Sequence, residues 1–532
     1  MVDYRAAVAA SGRPIGFFDA RGLIGEIDRA TIFDRALRMV AGLRDHGLQR
    51  GDRVVIVGAT SPDYVCVTLA CLLYGVAPCA VASAFDPSDP DSAGVQHIRA
   101  AVEAVSPAAT IVTDEWQLLA APVGAATLTP AQIEAAEPAG PETLHAPEPS
   151  DIHHIQLTSG STSAPKAALL THRNVAAHLA VLAASTELDA DRDQVFTWLP
   201  LYHDMGFIQL LVGLTSGVGL DLMTPLEFAR DPSSWVRHMS ERKTTLTAAP
   251  PFAYHLAASR ARRRPDPSVD LSTLRQAYVG AEPIPPSVLR TFRQTFAPQG
   301  LADDVLLPCY GMAETVLATT LCLRTWPTTE TSFGRVRWRS FDGREIVSSG
   351  TVVDGMAIEV TDETGAPVPD GEVGRIRVRG DAVMAGYLSE GSPAASEDGW
   401  HDTGDLGVLD DGELYIVGRT KEMLIVRGRN IPPYDIEAAI EGHEMVPGGS
   451  SVVFSLPVPD KGTEPLIAVV ETKAEEAAWD EVGRDVAQQV RKSFGLALSQ
   501  VIVLPRGIIP RTTSGKRQRA KVKQLYLAGE LR

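Results

Sequence analysis

The sequence has few cysteines and no long hydrophobic run. The five cysteines among 532 residues lack the paired spacing of metal ligands; they are Cys66, Cys71, Cys79, Cys309 and Cys322. No window holds ~20 uninterrupted apolar residues, and the N-terminus has no apolar run behind a basic start. We therefore expect neither export nor a membrane span, and a cytoplasmic location.

Positive charge is also in short supply. Lys and Arg total 49 against 66 Asp and Glu, which gives a net charge of -17. Such a charge opposes general binding to nucleic acid or to anionic lipid. We expect small molecules or proteins as partners, and no nucleic acid.

Three widespread catalytic loops are missing. Lys166 is not part of a Gly-Lys-Ser/Thr ending, and residues 510–517, PRTTSGKR, lack the leading glycine and the trailing hydroxyl of a phosphate-binding P-loop. The sequence contains no G-x-S-x-G esterase turn and no complete G-x-G-x-x-G dinucleotide loop. P-loop NTPases, serine esterases of that type and dinucleotide-binding enzymes are therefore disfavoured.

Short apolar runs alternate with helical patterns over roughly the first three hundred residues, as in 52–60, 63–77 and 109–116. This alternation predicts an α/β fold with parallel sheets faced by helices. From about residue 352 to 417, short strands separated by turn pairs replace the helices and predict a small β-rich subdomain. The Ala-, Pro- and Glu-rich segment 117–150 is typical of a surface excursion.

A chain of 532 residues is too long for one hydrophobic core. We predict a large N-terminal domain over residues 1–418, which includes the β-rich subdomain, and a small α+β domain over 419–532. A domain of the second size can move on the first.

The segment 157–172, LTSGSTSAPKAALLTH, is a candidate phosphate loop. Five hydroxyl residues and one glycine occupy the six positions from Thr158 to Ser163, and Lys166 follows. Small residues let backbone N–H groups converge on phosphate oxygens, hydroxyls add donors, and a lysine adds charge. Taken alone, the stretch could also be a Ser/Thr-rich turn.

Five motifs occur in the order found in the adenylate-forming, or acyl-activating, enzymes: TSGSTSAPK, YGMAET (310–315), TGDLG (403–407), GRTKEMLIVRGRN (418–430) and PRTTSGK (510–516). The chain resembles this superfamily over most of its length. Further segments resemble the fatty acyl-AMP ligases most closely: LYHDMGFIQ (201–209), APPFAYHL (249–256), VGAEPI (279–284), LLPCYGMAE (306–314) and 427–437. The resemblance implies an enzyme that uses ATP and Mg²⁺ to convert a carboxylic acid, either a fatty acid or a natural-product acid, into acyl-AMP with release of pyrophosphate.

The resemblance also implies how the nucleotide is bound. The β- and γ-phosphates would be held by Thr158, Ser159, Gly160, Ser161, Thr162 and Lys166. The adenine would lie against Tyr310, Gly311 and Met312, in a pocket lined by Gly280, Ala281 and Glu282. Asp405 would accept hydrogen bonds from the ribose hydroxyls, with Arg419 beside it, and Glu314 and the Thr162 hydroxyl would hold Mg²⁺.

By the same resemblance, the catalytic residues would be Lys516, Glu314 and His203. Lys516 would bridge the acyl carboxylate and the α-phosphate, where a cation stabilises developing negative charge. Rotation at a hinge near Lys421 would withdraw it. The wall of the acyl pocket would include His203, Met205, Phe207, Pro251, Phe252 and Tyr254, although apolar residues there could equally be core.

Each of these residues has another interpretation when taken alone. Lys516 could be a solvated lysine in a tail with Arg511, Arg517 and Arg519, and Asp405 a turn aspartate. The joint order of the motifs favours function. The neighbouring histidines His153 and His154 are not interpreted as a metal site, because adjacent strand residues point to opposite faces of a sheet.

The sequence leaves the acyl acceptor open. Fatty acyl-AMP ligases carry an insertion in this region, which is associated with blocking CoA use. The corresponding stretch here, residues 321–350, is shorter than in typical members. Our leading hypothesis is transfer of the acyl group to the phosphopantetheine thiol of a separate carrier protein. The alternatives are an acyl-CoA synthetase that uses free CoA, and a catalytically silent paralogue that binds acyl, nucleotide or carrier ligands.

Overall fold

The structure, a computed structural model, describes residue 4 and residues 13–84, 86–114, 118, 126–135, 137–158, 165–341, 344–388, 399–426, 429–456, 465–512 and 515–531. The chain forms two compact units. The first comprises Met1–Glu359, Arg377–Asp402 and Leu409–Tyr415, and the second comprises Val360–Ile376, Thr403–Val408 and Ile416–Arg532. The predicted boundary at residue 418 stays a prediction.

The first part of the chain alternates strands with helices. Its strands are β1 (Ile15–Phe18), β2 (Leu23–Ile27), β3 (Arg53–Val57), β4 (Ala77–Val81), β5 (Ala109–Val112), β6 (Ala126–Leu128), β7 (Ile152–Thr158), β8 (Lys166–Thr171), β9 (Gln194–Thr197), β10 (Gly219–Met223), β11 (Leu246–Ala249), β12 (Gln276–Val279), β13 (Leu306–Gly311) and β14 (Ala318–Leu321). Its α-helices are α1 (Arg29–Asp45), α2 (Pro62–Tyr74), α3 (Ala93–Val105), α4 (Pro130–Ile133), α5 (His172–Thr186), α6 (Asp204–Ser216), α7 (Pro225–Arg230), α8 (Pro232–Glu241), α9 (Pro251–Arg263) and α10 (Pro286–Phe296).

The later part of the chain is richer in strands. These are β15 (Ser332–Phe333), β16 (Val336–Phe341), β17 (Arg344–Val347), β18 (Thr351–Val352), β19 (Met356–Thr361), β20 (Gly374–Gly380), β21 (Gly386–Tyr387), β22 (His401–Asp410), β23 (Glu413–Arg419), β24 (Leu424–Val426), β25 (Arg429–Ile431), β26 (Ser451–Ser455), β27 (Leu466–Thr472) and β28 (Leu498–Pro505). Its α-helices are α11 (Pro433–Ile440), α12 (Trp479–Phe494) and α13 (Arg519–Leu527).

Two large sheets organise the first unit. One has the strand order β18-β14-β13-β12-β11-β9-β10-β1-β2, and the other has the order β21-β8-β7-β4-β3-β5-β6. The central strands of both sheets are parallel, whereas β2, β14, β18, β8 and β21 pair antiparallel. The predicted α/β class is therefore confirmed, with the correction that each sheet is mixed at its edges, since hairpin partners and long returns add strands there.

The predicted surface excursion 117–150 is only partly one. β6 pairs in parallel with β5 at the edge of the second sheet, and Ile133 of α4 is completely buried. A strand of three residues is too short for its alternation to stand out in the sequence, which is why composition alone suggested a loop.

Helix α2 shows how local sequence defines a buried element of the first unit. Ser61 caps its first turn by accepting a hydrogen bond from the Tyr64 N–H, and Pro62 occupies the first helical position. The helix ends at Gly75, whose φ of 83° favours glycine. Its residues Tyr64–Tyr74 are all buried, as expected of a helix enclosed on every side.

The remaining strands form smaller sheets. From residue 352 to 417 the described residues form strands and no α-helix, and β19, β20, β22 and β23 make a four-stranded sheet, as the β-rich prediction requires. Further on, β26 and β27 pair antiparallel and β27 and β28 pair parallel, with Val482, Val486 and Val490 of α12 packed beneath them. In the described part of the chain, no helix combines the length and apolarity needed to cross a membrane.

Candidate active site

The predicted phosphate loop is framed by two paired strand ends. Thr158 ends β7, Lys166 begins β8, and the two residues are register partners in the antiparallel pair. The loop residues Ser159, Gly160, Ser161 and Thr162 lie outside the described residues. Lys166 carries its Nζ 4.6 Å from the centroid of the Tyr387 ring, a distance suited to a cation–π contact.

Tyr387 connects this lysine with the predicted magnesium ligand. Its hydroxyl donates a 2.7 Å hydrogen bond to Oε1 of Glu314, which lies in a single turn of 3₁₀-helix, Ala313–Thr315. The Met384 N–H donates to the Glu314 carbonyl at 2.8 Å. No motif marked Tyr387 in the sequence, because its position depends on the pairing of β21 with β8.

A tight, strained turn follows Glu314. Val316 has φ 66° and ψ -56°, and the Leu317 N–H donates to the Thr315 carbonyl at 2.8 Å, which makes this a γ-turn with positive φ. Such a conformation is costly for a β-branched residue and occurs mainly at functional sites. The turn brings the Leu317 carbonyl so close to Gly311 that a Cβ on Gly311 would lie 1.7 Å from its oxygen.

The predicted adenine-binding residues gather at one edge of the first sheet. Gly280, Ala281 and Glu282 follow β12 directly, and Tyr310 and Gly311 end the neighbouring parallel strand β13, with Met312 next in the chain. Carboxyl ends of adjacent parallel strands meet at the same edge, where ligands bind in open α/β sheets. At Gly280 a Cβ would come 2.9 Å from the Cys309 carbonyl oxygen, so the two strand ends require this glycine.

An apolar cavity extends from this edge between the strands and helices α5 and α6. Ala281, Tyr310 and Gly311 contribute to its wall at the carboxyl edge of the sheet. The other lining residues are Leu182, Thr186, Leu188, Val195, Asp204, Met205, Ile208, Gln209, Val212, Leu246, Thr247, Ala248, Tyr278, Cys309, Leu317, Ala318 and Leu321. A mostly apolar cavity with a few polar groups is the usual form of a small-molecule site.

Of the six residues predicted to line an acyl pocket, Met205 lies in the wall of this cavity. Phe207 is 3% exposed, and its ring centroid lies 4.7 Å from that of His154. It points away from the cavity that Met205 lines, because residues two apart on a helix face different directions. Tyr254 is completely buried and donates a hydrogen bond to the Tyr278 carbonyl at 2.8 Å. Phe207 and Tyr254 are thus core residues.

The other three predicted wall residues lie elsewhere than in this wall. Pro251 is buried at the start of α9, and the Phe252 ring packs edge-on against Trp198 with centroids 6.1 Å apart. His203 directly precedes α6, and its Nδ1 contacts the carboxylate of Asp204. Aromatic and apolar residues near a site are difficult to divide between core and pocket from sequence alone.

In the second unit, Asp405 and Arg419 are in contact. Asp405 lies on β22 with its side chain 7% exposed, and Nε of Arg419 is 3.2 Å from its Oδ1. Arg419 ends β23 and leaves most of its side chain exposed. A buried carboxylate beside a cationic side chain can accept hydrogen bonds from ligand hydroxyl groups.

Lys516 lies on a short backbone loop in the same unit. Its N–H donates to Oγ1 of Thr512 at 3.0 Å, and the Thr512 N–H donates to the Lys516 carbonyl at 2.6 Å. Arg517 and Arg519 both contact Glu437, whose side chain is fully buried. These two arginines are therefore not solvated residues of a basic tail. Lys421 falls in the 3₁₀ turn Thr420–Glu422, and its side chain lies outside what the structure describes.

The histidine pair on β7 differs from the expectation. The pairing of β7 with β8 shifts register between Ile152 and His154, and this irregularity lets the Nδ1 atoms of His153 and His154 approach to 2.8 Å. The two side chains therefore do not diverge to opposite faces. Burial lowers the pKa of His153 well below its usual range and that of His154 to about 3. No group of three or more metal-ligating side chains occurs among the described residues.

The fold and these residues define an adenylate-forming enzyme. The AMP-binding enzyme family matches residues 27–388, and the Disco-interacting protein 2-like AMP domain matches residues 421–532. The long-chain-fatty-acid–AMP ligase FadD26 of Mycobacterium tuberculosis is 30% identical over 548 residues, which cover 96% of this chain and 92% of the relative.

Solved structures agree with this classification. One from a study of fatty acyl-adenylate ligases of E. coli and L. pneumophila has a TM-score of 0.87 at 29% identity, covering 99% of this chain and 98% of the other. The fold is also that of McyG A-PCP complexed with phenylalanyl-adenylate, with a TM-score of 0.89 at 23% identity over 99% of this chain and 82% of that one. The chain belongs to the AMP-binding enzyme family, in which it is an acyl-AMP ligase that uses ATP.

Proposed function

We propose that this protein adenylates a carboxylic acid with an extended apolar chain and passes the acyl group to the phosphopantetheine thiol of a separate carrier protein. The observation that supports the substrate class is the apolar cavity, whose wall includes Ala281, Tyr310 and Gly311 from the predicted adenine site. An acid in this cavity would have its carboxylate next to the nucleotide. FadD26, by its name, is an AMP ligase of long-chain fatty acids.

The first step joins the acid to AMP. A carboxylate oxygen attacks the α-phosphorus of ATP, and the bond to pyrophosphate breaks. A carboxylate is a weak nucleophile, so the enzyme acts by holding the reactants in line and by stabilising charge on the phosphoryl group. The phosphate loop with Lys166 binds the departing phosphates, and Lys516 stabilises the charge between the carboxylate and the α-phosphate.

Glu314 fits a role as a magnesium ligand. Mg²⁺ prefers carboxylate oxygens together with substrate phosphates, and Tyr387 fixes one oxygen of Glu314 by a 2.7 Å hydrogen bond. Glu314 and the Thr162 hydroxyl would hold the ion, which neutralises phosphate charge when bound. Asp405 and Arg419 orient the ribose.

The second step transfers the acyl group. The phosphopantetheine thiolate attacks the acyl carbonyl of acyl-AMP, a thioester forms, and AMP leaves.

Acid-dependent ATP–pyrophosphate exchange tests the first step. A panel of fatty, aryl and polycyclic acids is compared in the wild type, in Lys516→Ala and in Lys521→Ala, a lysine exposed on α13. We expect exchange with at least one acid and a loss of about 10²-fold or more in Lys516→Ala, the size found when one transition-state donor is removed. Lys521→Ala should match the wild type. No exchange with any acid would instead support the silent paralogue.

The acceptor is tested with the active acid. Free CoA and a phosphopantetheine-bearing carrier protein are offered separately, and thioester formation is measured. Transfer to the carrier without CoA thioester supports the proposal. Efficient CoA thioester formation would make the protein an acyl-CoA synthetase.

A further inference from the structure

The long axis of the apolar cavity follows the strands of the first sheet. Its wall includes Tyr310 at the carboxyl edge and Leu246, the first residue of β11, at the amino edge. Leu246 pairs with Gln276, and the next residue, Ala277, pairs with Leu306. Tyr310 therefore stands five residues beyond the level of Leu246. At about 3.3 Å per residue, the two wall residues are roughly 16 Å apart along the strand direction.

Helix α6, which covers this face of the sheet, gives the same direction. It leads from β9 to β10, two parallel neighbours, so it runs from the carboxyl edge of the sheet back to the amino edge. Met205 and Val212 of this helix both line the cavity. They are about 10 Å apart along the helix axis at 1.5 Å per residue. The cavity is therefore long in the direction that leads away from the predicted nucleotide site.

Val195 and Leu246 lie at the far end of the cavity. They are register partners on adjacent parallel strands, so their side chains share one face of the sheet. Ala248 and Tyr278 continue this face two residues closer to the carboxyl edge, and both also line the cavity. Val195 and Leu246 are 4% and 5% exposed, so each keeps some accessible surface where it borders the cavity.

An ion pair with a buried carboxylate lies at the amino edge beyond this row. Arg275, the residue before β12, donates to the Thr186 carbonyl at 2.7 Å and to Oδ2 of Asp193 at 2.6 Å. Asp193, the residue before β9, is completely buried and also accepts from the Thr245 hydroxyl at 2.8 Å. Thr186 belongs to the cavity wall, so the end of α5 is tied to the starts of two strands here. A longer alkyl chain would have to separate this ion pair, which is strongly unfavourable.

We infer that Val195 and Leu246 form the floor of the acyl site and limit the acid to about 12–14 carbons. An extended alkyl chain advances about 1.25 Å per C–C bond of about 1.5 Å, so roughly 16 Å holds a chain of this length. The inference rests on the proposed function, because it assigns the cavity to the acid and the carboxylate to the Tyr310 end. Shorter acids leave the floor unfilled, and longer acids meet it.

A series of straight-chain saturated acids tests this limit. kcat/KM for ATP–pyrophosphate exchange is measured from hexanoic to icosanoic acid, with each acid below the concentration at which it aggregates. We expect kcat/KM to rise about threefold to fourfold for each added methylene, the effect of burying one against an apolar wall. The rise should end at dodecanoic to tetradecanoic acid and be followed by a fall. Equal use of dodecanoic and octadecanoic acid would overturn the inference.

Two substitutions move the floor in opposite directions. Ala248→Leu fills the cavity about 6.6 Å closer to the nucleotide, at 3.3 Å per residue, and should shorten the best acid by about 5 carbons. Leu246→Ala should lengthen it by about two carbons, since a leucine extends about 2.5 Å beyond an alanine Cβ. Leu214→Ala removes the same atoms from a completely buried position on α6 that does not line the cavity.

The outcomes of these variants are distinct. Leu214→Ala should keep the wild-type optimum, even where it loses as much stability as Leu246→Ala. If Ala248→Leu does not fold, the smaller Ala248→Val replaces it, and its optimum should shift in the same direction. An unchanged optimum in Leu246→Ala, or the same shift in Leu214→Ala, would overturn the assignment of the floor.

A direct binding measurement separates this inference from the proposed function. Titration calorimetry of the same acids with the wild-type chain does not require adenylation. If exchange is absent but affinity rises with chain length and falls beyond tetradecanoic acid, the adenylation proposal fails and the inference stands. Exchange that continues undiminished to icosanoic acid leaves adenylation standing and overturns the inference. Binding that is independent of chain length, or no binding, also overturns it.

Discussion

Tyr387 occupies a central position between two oppositely charged residues. Its hydroxyl donates to Glu314 Oε1 at 2.7 Å, and its ring lies 4.6 Å from the Lys166 ammonium group. The tyrosine therefore positions a candidate metal ligand and a candidate phosphate ligand at once. Since it does so through two different parts of the side chain, the two contributions can be separated.

Removing the Tyr387 hydroxyl should lower the affinity of the enzyme for magnesium. Tyr387→Phe keeps the ring beside Lys166 and removes the hydrogen bond to a charged group, a bond that contributes about 1.5–3 kcal/mol. We expect kcat/KM for exchange to fall roughly tenfold or more. The magnesium concentration for half-maximal exchange should rise, an effect that a purely structural role would not produce. Tyr526→Phe, whose hydroxyl contacts Gln500 at 2.9 Å, is the control and should behave as the wild type.

A methyl group on Gly311 should disrupt the strained turn. The Cβ in Gly311→Ala would lie 1.7 Å from the Leu317 carbonyl oxygen, so the backbone must shift. We expect a loss of roughly 1–3 kcal/mol or more in the free energy of unfolding, as for other overpacked sites. Gly25→Ala, where nothing lies within 4 Å, is the matched control. Equal urea midpoints for the two variants would contradict this account of the turn.

At the scale of elements, a buried carboxylate attaches the Lys516 segment to the second unit. Glu437 on α11 is fully buried and accepts hydrogen bonds from Arg519 at 2.8 Å and from the Val453 N–H of β26 at 2.8 Å. Arg517 lies 3.3 Å from the same carboxylate. Helix, strand and segment therefore share one anionic group, which orders the residues that follow Lys516.

Glu437→Gln should loosen this attachment. The amide leaves two arginines without their shared counter-charge, and breaking a buried ion pair from one side costs about 3–5 kcal/mol. We expect faster amide hydrogen exchange in β26 and α11. We also expect slower ATP–pyrophosphate exchange, because that reaction depends on Lys516. Glu530→Gln, at an exposed position near the C-terminus, should show neither effect. Unchanged protection of β26 in Glu437→Gln would show that the carboxylate does not hold these elements together.

At the scale of the whole molecule, the first unit encloses a cluster of uncharged histidines. Ring centroids of His153 and His172 lie 4.8 Å apart, and His153 Nε2 is 2.5 Å from the hydroxyl of Tyr4. Burial is the main cause of the lowered pKa values of His153, His154 and His172, with His172 near 4. Close positive neighbours would add repulsion if these rings became charged.

This cluster predicts a loss of stability in mild acid. The unfolded histidines titrate near pH 6.5, above their folded pKa values, so the unfolded state takes up protons first as the pH falls. Stability is complete above about pH 6.5 and is lost progressively toward pH 4, by up to about 1.4 kcal/mol per pH unit for each histidine. Asp151, paired with His145 at 2.9 Å, has a lowered pKa and affects stability only below this window.

Urea unfolding at several pH values from 7.5 to 5 checks this prediction. The urea midpoint should fall with the pH in the wild type and fall less steeply in His154→Phe, which removes one of the titrating groups. His46→Gln, outside the cluster, should keep the wild-type slope. A midpoint independent of pH would show that the histidines accept protons without unfolding.

The sequence predicted much of the fold because its signals are local. Alternating apolar runs and helix caps such as Ser61 and Pro62 indicate the elements, and these led to the α/β class, the β-rich segment and the α+β end. The site was predicted from motifs, since short segments such as YGMAET can be recognised locally and occur in the order found in the family. The short edge strand β6 was missed, because three residues give too little periodicity.

By itself, the sequence determined the class of chemistry: an ordered set of motifs that bind nucleotide and activate a carboxylate. The tertiary structure decided what no local pattern can encode. Tyr387 meets Glu314 across 73 residues of chain, the β-bulge turns His153 toward His154, and Leu246 comes to line a cavity together with residues of distant helices. These features depend on strand register and helix orientation, which are set by packing between residues far apart in sequence.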